Sequence, residues 1–113
     1  MRARLVLLSF ATALAACSSQ NDKQLEAVKS ARSVVAEWAL VEQQAGNRRA
    51  QMVYVQQMRQ LARDDLKTDG EQLSGQPDAA GLLDGLRSGS PDAGALKQAG
   101  SSLEPLEKRL EAS

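Results

Sequence analysis

The sequence predicts an all-α protein: an amphipathic helical hairpin over residues 24–68, then a glycine- and proline-rich segment with short helices over residues 69–113. Three observations carry this reading. From Gln24 to Ala45 the apolar positions Ala27, Ala31, Val34, Trp38, Val41 and Ala45 recur at alternating steps of four and three, which places all six on one face of a helix. A second stripe, Tyr54, Val55, Met58, Leu61, Ala62 and Leu66, recurs at helical spacing within residues 48–68. Between the two stands Gly46-Asn47, a glycine suited to a left-handed C-cap followed by an asparagine suited to an N-cap, so the chain is expected to reverse there.

Within the first helix Val28 and Val35 widen the stripe, while Lys29, Ser33, Glu37, Gln43 and Gln44 take the flanks and back. Leu25 and Leu40 fall on the opposite face and are expected to be exposed. The second helix is expected from about Arg48 to Thr68, with Arg59, Gln60 and Arg63 outside and Asp65 reaching solvent near its end. At 1.5 Å per residue the antiparallel hairpin is about 30 Å long. Trp38 and Tyr54 stand eight residues before and after Gly46, so the two rings are expected to pack together.

Residues 69–113 contain seven of the eight glycines and all three prolines. Such a stretch packs poorly, and it is expected to be a weakly ordered tail. Three short helices are expected in it: one from about Asp78 to Arg87 after Pro77, and one from about Pro91 to Gln98 with Ser90 as N-cap. The third runs from about Ser102 to Glu111, where Ser101 and Glu104 fit a capping box and Pro105 falls in the first turn. The hairpin alone is too small, and its stripes too rich in alanine, to supply a sufficient core. Either the C-terminal helices complete a third wall, or the hairpin associates with itself or with another protein.

The N-terminus reads "MRARLVLLSFATALAAC": Arg2 and Arg4 precede a twelve-residue apolar run from Leu5 to Ala16. That is the build of a secretory signal peptide over residues 1–16, and it falls short of the roughly 20 apolar residues that a membrane span requires. The two arginines are not adjacent, so no twin-arginine signal is present. At Leu14-Ala15-Ala16-Cys17 the sequence resembles the lipobox of bacterial lipoprotein precursors. The resemblance implies cleavage between Ala16 and Cys17, attachment of diacylglycerol to the Cys17 sulfur, and acylation of the new amino terminus. More than one acyl chain on one residue satisfies what stable membrane residence takes, at roughly 0.8 kcal/mol per buried methylene. A free thiol or an intermolecular disulfide is the alternative role for a lone cysteine. In lipoproteins of Gram-negative bacteria, aspartate after the cysteine marks retention in the inner membrane. Ser18 stands there, which implies the periplasmic face of the outer membrane, or the outer leaflet of the cytoplasmic membrane in a Gram-positive cell. Cys17 to Lys23 is expected to be a flexible spacer.

Composition narrows the chemistry. The chain holds 14 basic and 14 acidic side chains, and removal of residues 1–16 leaves 12 and 14, so nothing suggests nucleic acid. With no histidine and one cysteine, one chain assembles neither a disulfide nor a Cys/His metal site. Glu37, Glu42, Asp64 and Asp65 are the carboxylates that acid–base catalysis would draw on, but their spacing offers no facing pair and they read as solvated charge. The serines have no histidine to activate them and no G-x-S-x-G elbow occurs; nor does a nucleotide-binding glycine pattern. Arg48 and Arg49 are candidates for contact with an anionic headgroup or a phosphate. No enzymatic activity, cofactor or metal is expected. The expected role is a small lipid-anchored helical module of the envelope, structural or protein-binding, with the membrane as one partner and itself or another envelope protein as a second. A lysis-related or toxin-like small lipoprotein, of prophage origin for example, is the alternative, although three prolines are few for a spanin subunit.

Overall fold

The computed structural model describes the backbone of residues 2–47 and 51–113 and the side chains of residues 20–47 and 51–113. The lipobox with Cys17 and the Arg48-Arg49 pair therefore lie outside the residues whose side chains are described. The protein is all-α, with four helices and no strand among the described residues: α1 (Arg2–Gly46), α2 (Met52–Gln72), α3 (Pro77–Ser88) and α4 (Ala93–Ala112). No helix among these is long and apolar enough to cross a membrane.

Successive helices run antiparallel, and α1 is the spine against which α2 and α4 both pack. Its core face bears Ala27, Val28, Ala31, Val34, Val35, Trp38 and Ala39, all buried. Toward α4 it meets Leu96, Ala99, Leu103, Leu106 and Leu110, spaced three, four, three and four apart as one continuous seam. Arg32 pairs with Glu107 alongside that seam, and Asn21 Nδ2 donates to the Leu110 carbonyl at 3.4 Å. Toward α2 it meets Ala62, Leu66 and Leu73, and α3 closes on α2 with Ala79, Leu83 and Leu86.

Several expectations change. Residues 69–113 are not a weakly ordered tail: α3 and α4 supply the missing wall of the core, the first of the two outcomes weighed for so small a hairpin. The helices expected at 91–98 and 102–111 are one helix, capped by Asp92, whose carboxylate accepts from the Ala95 amide at 2.8 Å, rather than by Ser90 or Ser101. Gly100 and Pro105 interrupt the local propensity but not the seam. An interior proline costs about 3 kcal/mol and a glycine about 1, whereas each buried leucine contributes roughly 2, and the seam buries four of them. Pro105 and Ser101, whose carbonyl the proline leaves without its amide partner, are both exposed, so water reaches that carbonyl. At Gly100 the backbone approaches α1 closely: an added Cβ would lie 3.4 Å from Val35 Cγ2.

The first turn also differs. Gly46 is the last residue of α1 rather than a left-handed cap, and the Asn47 amide donates to Gln43 O at 3.0 Å. Helix α2 starts at Met52 after Gln51 and continues through Gly70 to Gln72, past the expected stop at Thr68. Gln20 to Lys23, expected within a flexible spacer, are helical. Leu25 packs against the core, whereas Leu40 is 57 % exposed as expected.

Candidate functional site

Trp38 is the fixed point of the α1–α2 contact. Its ring is buried, its Nε1 donates to Glu42 Oε2 one turn on at 2.9 Å, and the Arg63 guanidinium lies over the ring at 5.2 Å from its centroid. Tyr54 is not its partner. That ring stands 47 % exposed, because the α3–α4 connection crosses at the level of Trp38 and Glu42, where Ser90, Pro91 and Asp92 share a cleft of ≈ 500 Å³ with them. Beyond that level the end of α1 and the first turns of α2 project as a bare hairpin.

Arg59 and Arg63 point inward, contrary to expectation. Arg59 grips Glu42 with both ends of its fork, Nε to Oε2 and Nη2 to Oε1, each at 2.7 Å. Its two hydrogen bonds hold the Glu42 carboxyl below the usual carboxylate range, against the opposing effect of burial and with help from Trp38. The same pairing raises the affinity of Arg59 for its proton. Arg63, stacked on Trp38, also donates through Nε to Arg87 O at 3.3 Å and through Nη2 to Gly89 O at 3.2 Å, tying the end of α3 to the hairpin. Glu42 is thus a structural carboxylate rather than a solvated one.

Of the remaining candidate carboxylates, Asp64 is exposed and accepts from Gln60 Nε2 at 3.0 Å. Glu37 and Asp65, 28 residues apart in sequence, come to the two sides of a single groove between α1 and α2. This groove of ≈ 140 Å³ is lined by α1 and α2 alone, with Val34, Trp38, Val41 and Ala62 as its floor and Met58 and Leu61 as one wall. Leu61 is 56 % exposed, and Tyr54 continues the wall seven residues earlier on the same face of α2. With Met52 and Val53 also open, the exposed large apolar side chains of the described residues all belong to this hairpin. Among the described residues no three histidine, cysteine, aspartate or glutamate side chains come together as a metal site.

Asp69 is a group the sequence reading missed. It is buried on α2 against α1, where Ser30 Oγ donates to its Oδ2 at 2.8 Å. Burial raises its pKa, the Ser30 hydrogen bond opposes that, and the charge of Asp65 adds to it. The signal was present in the spacing, since Val55, Ala62, Leu66, Asp69 and Leu73 form one stripe at steps of seven, four, three and four. A carboxyl with a raised pKa binds its proton more tightly folded than unfolded, so it stabilises most below 3.8, and that gain is lost as pH rises through the raised value. Asp69→Asn keeps an oxygen for Ser30 and removes the buried charge. In urea unfolding, the variant is expected to be at least as stable as the wild type at neutral pH and to lose the gain on mild acidification. A lower midpoint at pH 7 would mean that the ionised carboxylate is itself required.

No protein-family model matches the chain, and no curated protein and no solved structure is similar to it.

Proposed function

We propose that the chain is a small lipoprotein of the bacterial envelope, lipidated at Cys17 and held to the periplasmic face of the outer membrane, whose helical bundle is a protein-interaction module. The observation that carries this is the run Leu14-Ala15-Ala16-Cys17 at the end of a twelve-residue apolar segment. The interaction reading is supported by the open hairpin, where Met52, Val53 and Leu61 are each more than half exposed, while the described residues outside the hairpin expose no large apolar side chain. From Gln20 to Gly46 helix α1 is about 40 Å long at 1.5 Å per residue, so an anchor at Cys17 holds the lower end of the bundle and leaves the hairpin end free.

Metabolic labelling with a radioactive fatty acid tests the anchor. The wild type is expected to incorporate label into a species shortened by the leader, and Cys17→Ala to incorporate none and to leave the membrane fraction. Equal labelling of the two removes the proposal. For the location, Ser18→Asp is expected to move the protein from the outer- to the inner-membrane fraction on density-gradient separation; recovery of the wild type in the inner membrane alone would reverse that assignment.

A further inference from the structure

We infer that the groove between α1 and α2 is the docking surface of this module, and that its occupant is an amphipathic helix with an apolar stripe flanked by lysine or arginine. The inference rests on the interaction reading above but not on the lipid anchor. Helix α2 presents Tyr54, Met58, Leu61 and Asp65 at steps of four, three and four, the pattern by which a helix offers one face to another helix, yet among the described residues no further element lines this groove. Val34 and Val41 of α1 lie in its floor, and Glu37 stands on the side opposite the wall. The open wall from Tyr54 to Leu61 is about 10 Å long at 1.5 Å per residue, enough for two turns of a third helix.

Charge selects the occupant. Glu37 and Asp65 stand at the rims, both exposed, and neither makes an ion pair within the described residues, while Arg59 and Arg63 of α2 are committed to Glu42, Trp38 and the α3 terminus. A basic rim on the incoming helix therefore meets two available carboxylates, and an acidic one meets repulsion. A second copy docked side by side about a two-fold axis along the helices would set Glu37 of each copy against Asp65 of the other, like charge against like, which disfavours self-pairing through this face.

Trp38 floors the groove and is the only tryptophan in the chain, so its fluorescence reports on occupancy. The full chain, in the presence of phosphatidylcholine vesicles, is titrated with two tryptophan-free helical peptides of roughly 18 residues, about five turns. Both carry the same leucine stripe and differ only in lysine or glutamate along its flanks. The lysine peptide is expected to bind about tenfold more tightly than the glutamate peptide, as two surface ion pairs allow. Leu61→Lys is expected to abolish binding, and the double variant Glu37→Lys/Asp65→Lys to reverse the preference; both positions are exposed, so folding is not at stake. Equal affinity for the peptides, no binding of either, or an unreversed preference overturns the inference. So does a dimer in sedimentation that Leu61→Lys dissociates, which would make a second copy the occupant. Quenching of Trp38 by brominated phosphatidylcholine without peptide would assign the groove to the bilayer and likewise overturn it. A photocrosslinker placed in cells at Leu61, and separately at Ser33 on the α1–α4 side, separates two failures. An adduct from Ser33 alone retains the interaction module and overturns this groove; an adduct from neither position overturns both.

Discussion

Replacing Trp38 by alanine is expected to destabilise the bundle by about 3–5 kcal/mol, the largest loss from any single side chain here. Three contributions sum in that ring. Its burial at 2 % exposure removes the largest apolar side chain of the core from water. Its Nε1–H satisfies one oxygen of a mostly buried carboxylate, and its face carries the Arg63 guanidinium, which in turn holds the end of α3. Deletion leaves a cavity between α1 and α2 and frees two charged groups from their partner at once. For a bundle of this size each kcal/mol lowers the thermal midpoint by about 4–8 °C, so a drop of more than 12 °C is the expected reading in far-ultraviolet circular dichroism. Trp38→Phe separates the contributions in part: it keeps a ring face for Arg63 and part of the burial, loses the N–H donor and the second ring, and is expected to cost about 1–2 kcal/mol. A loss below about 1 kcal/mol for the alanine variant would mean that α1 and α2 are held together chiefly by other residues, with the ring a passenger.

The contrast between Trp38 and Tyr54 shows what the sequence carried and what it did not. Both lie on stripes of helical spacing, and that spacing correctly reported helices and, for α1, the buried face down to Ala27 and Val41. Whether a residue on a stripe is covered depends on where neighbouring helices stop, and α3 and α4 stop at the level of Glu42, below Tyr54. No local pattern encodes that. Charge at the flank of a stripe predicts an exterior position for Arg59 and Arg63, but long side chains lie along apolar surface and deliver their heads to a partner across the helix pair. Gly100 and Pro105 misled in the opposite direction. They are strong local signals of an ending, overridden by a seam of four leucines whose partner face lies some 70 residues earlier in the chain. Glu37 and Asp65 were each visible as exposed carboxylates, while their placement on one groove is a product of the hairpin's register alone.

The second large expected effect belongs to Glu42. Its side chain is 14 % exposed and that of Arg59 29 %, so the pair is screened by water only in part. Glu42→Ala leaves Arg59 without its two carboxylate bonds and Trp38 Nε1 without its acceptor, and is expected to cost about 2–3 kcal/mol, below the 3–5 kcal/mol of a fully buried pair broken on one side. Glu42→Gln keeps one acceptor oxygen, sets its NH2 where the other accepted, removes the charge, and is expected to lose about half as much. The pH dependence carries the sign. The folded pKa of Glu42 lies below its ordinary 4.5, so the unfolded chain takes up this proton first, and the stability from the pair is complete above that value and is lost as pH falls through the lower, folded one. Asp69 acts in the opposite sense, gaining stability as pH falls toward 3.8. The wild type is therefore expected to hold or gain stability from neutral pH down to mildly acidic conditions, and to lose the contribution of the pair as the pH falls below 4.5 toward the lower, folded pKa of Glu42. In Glu42→Gln the acid loss should flatten while the gain from Asp69 persists, and in Asp69→Asn the reverse, so the urea midpoints of the two variants, on opposite sides of the wild-type value at neutral pH, should each converge on the wild-type curve as the pH falls. Parallel curves for Glu42→Gln and the wild type below pH 4.5 would show that the carboxylate is not held by its charge, and that Arg59 packs here for its stem rather than for its guanidinium.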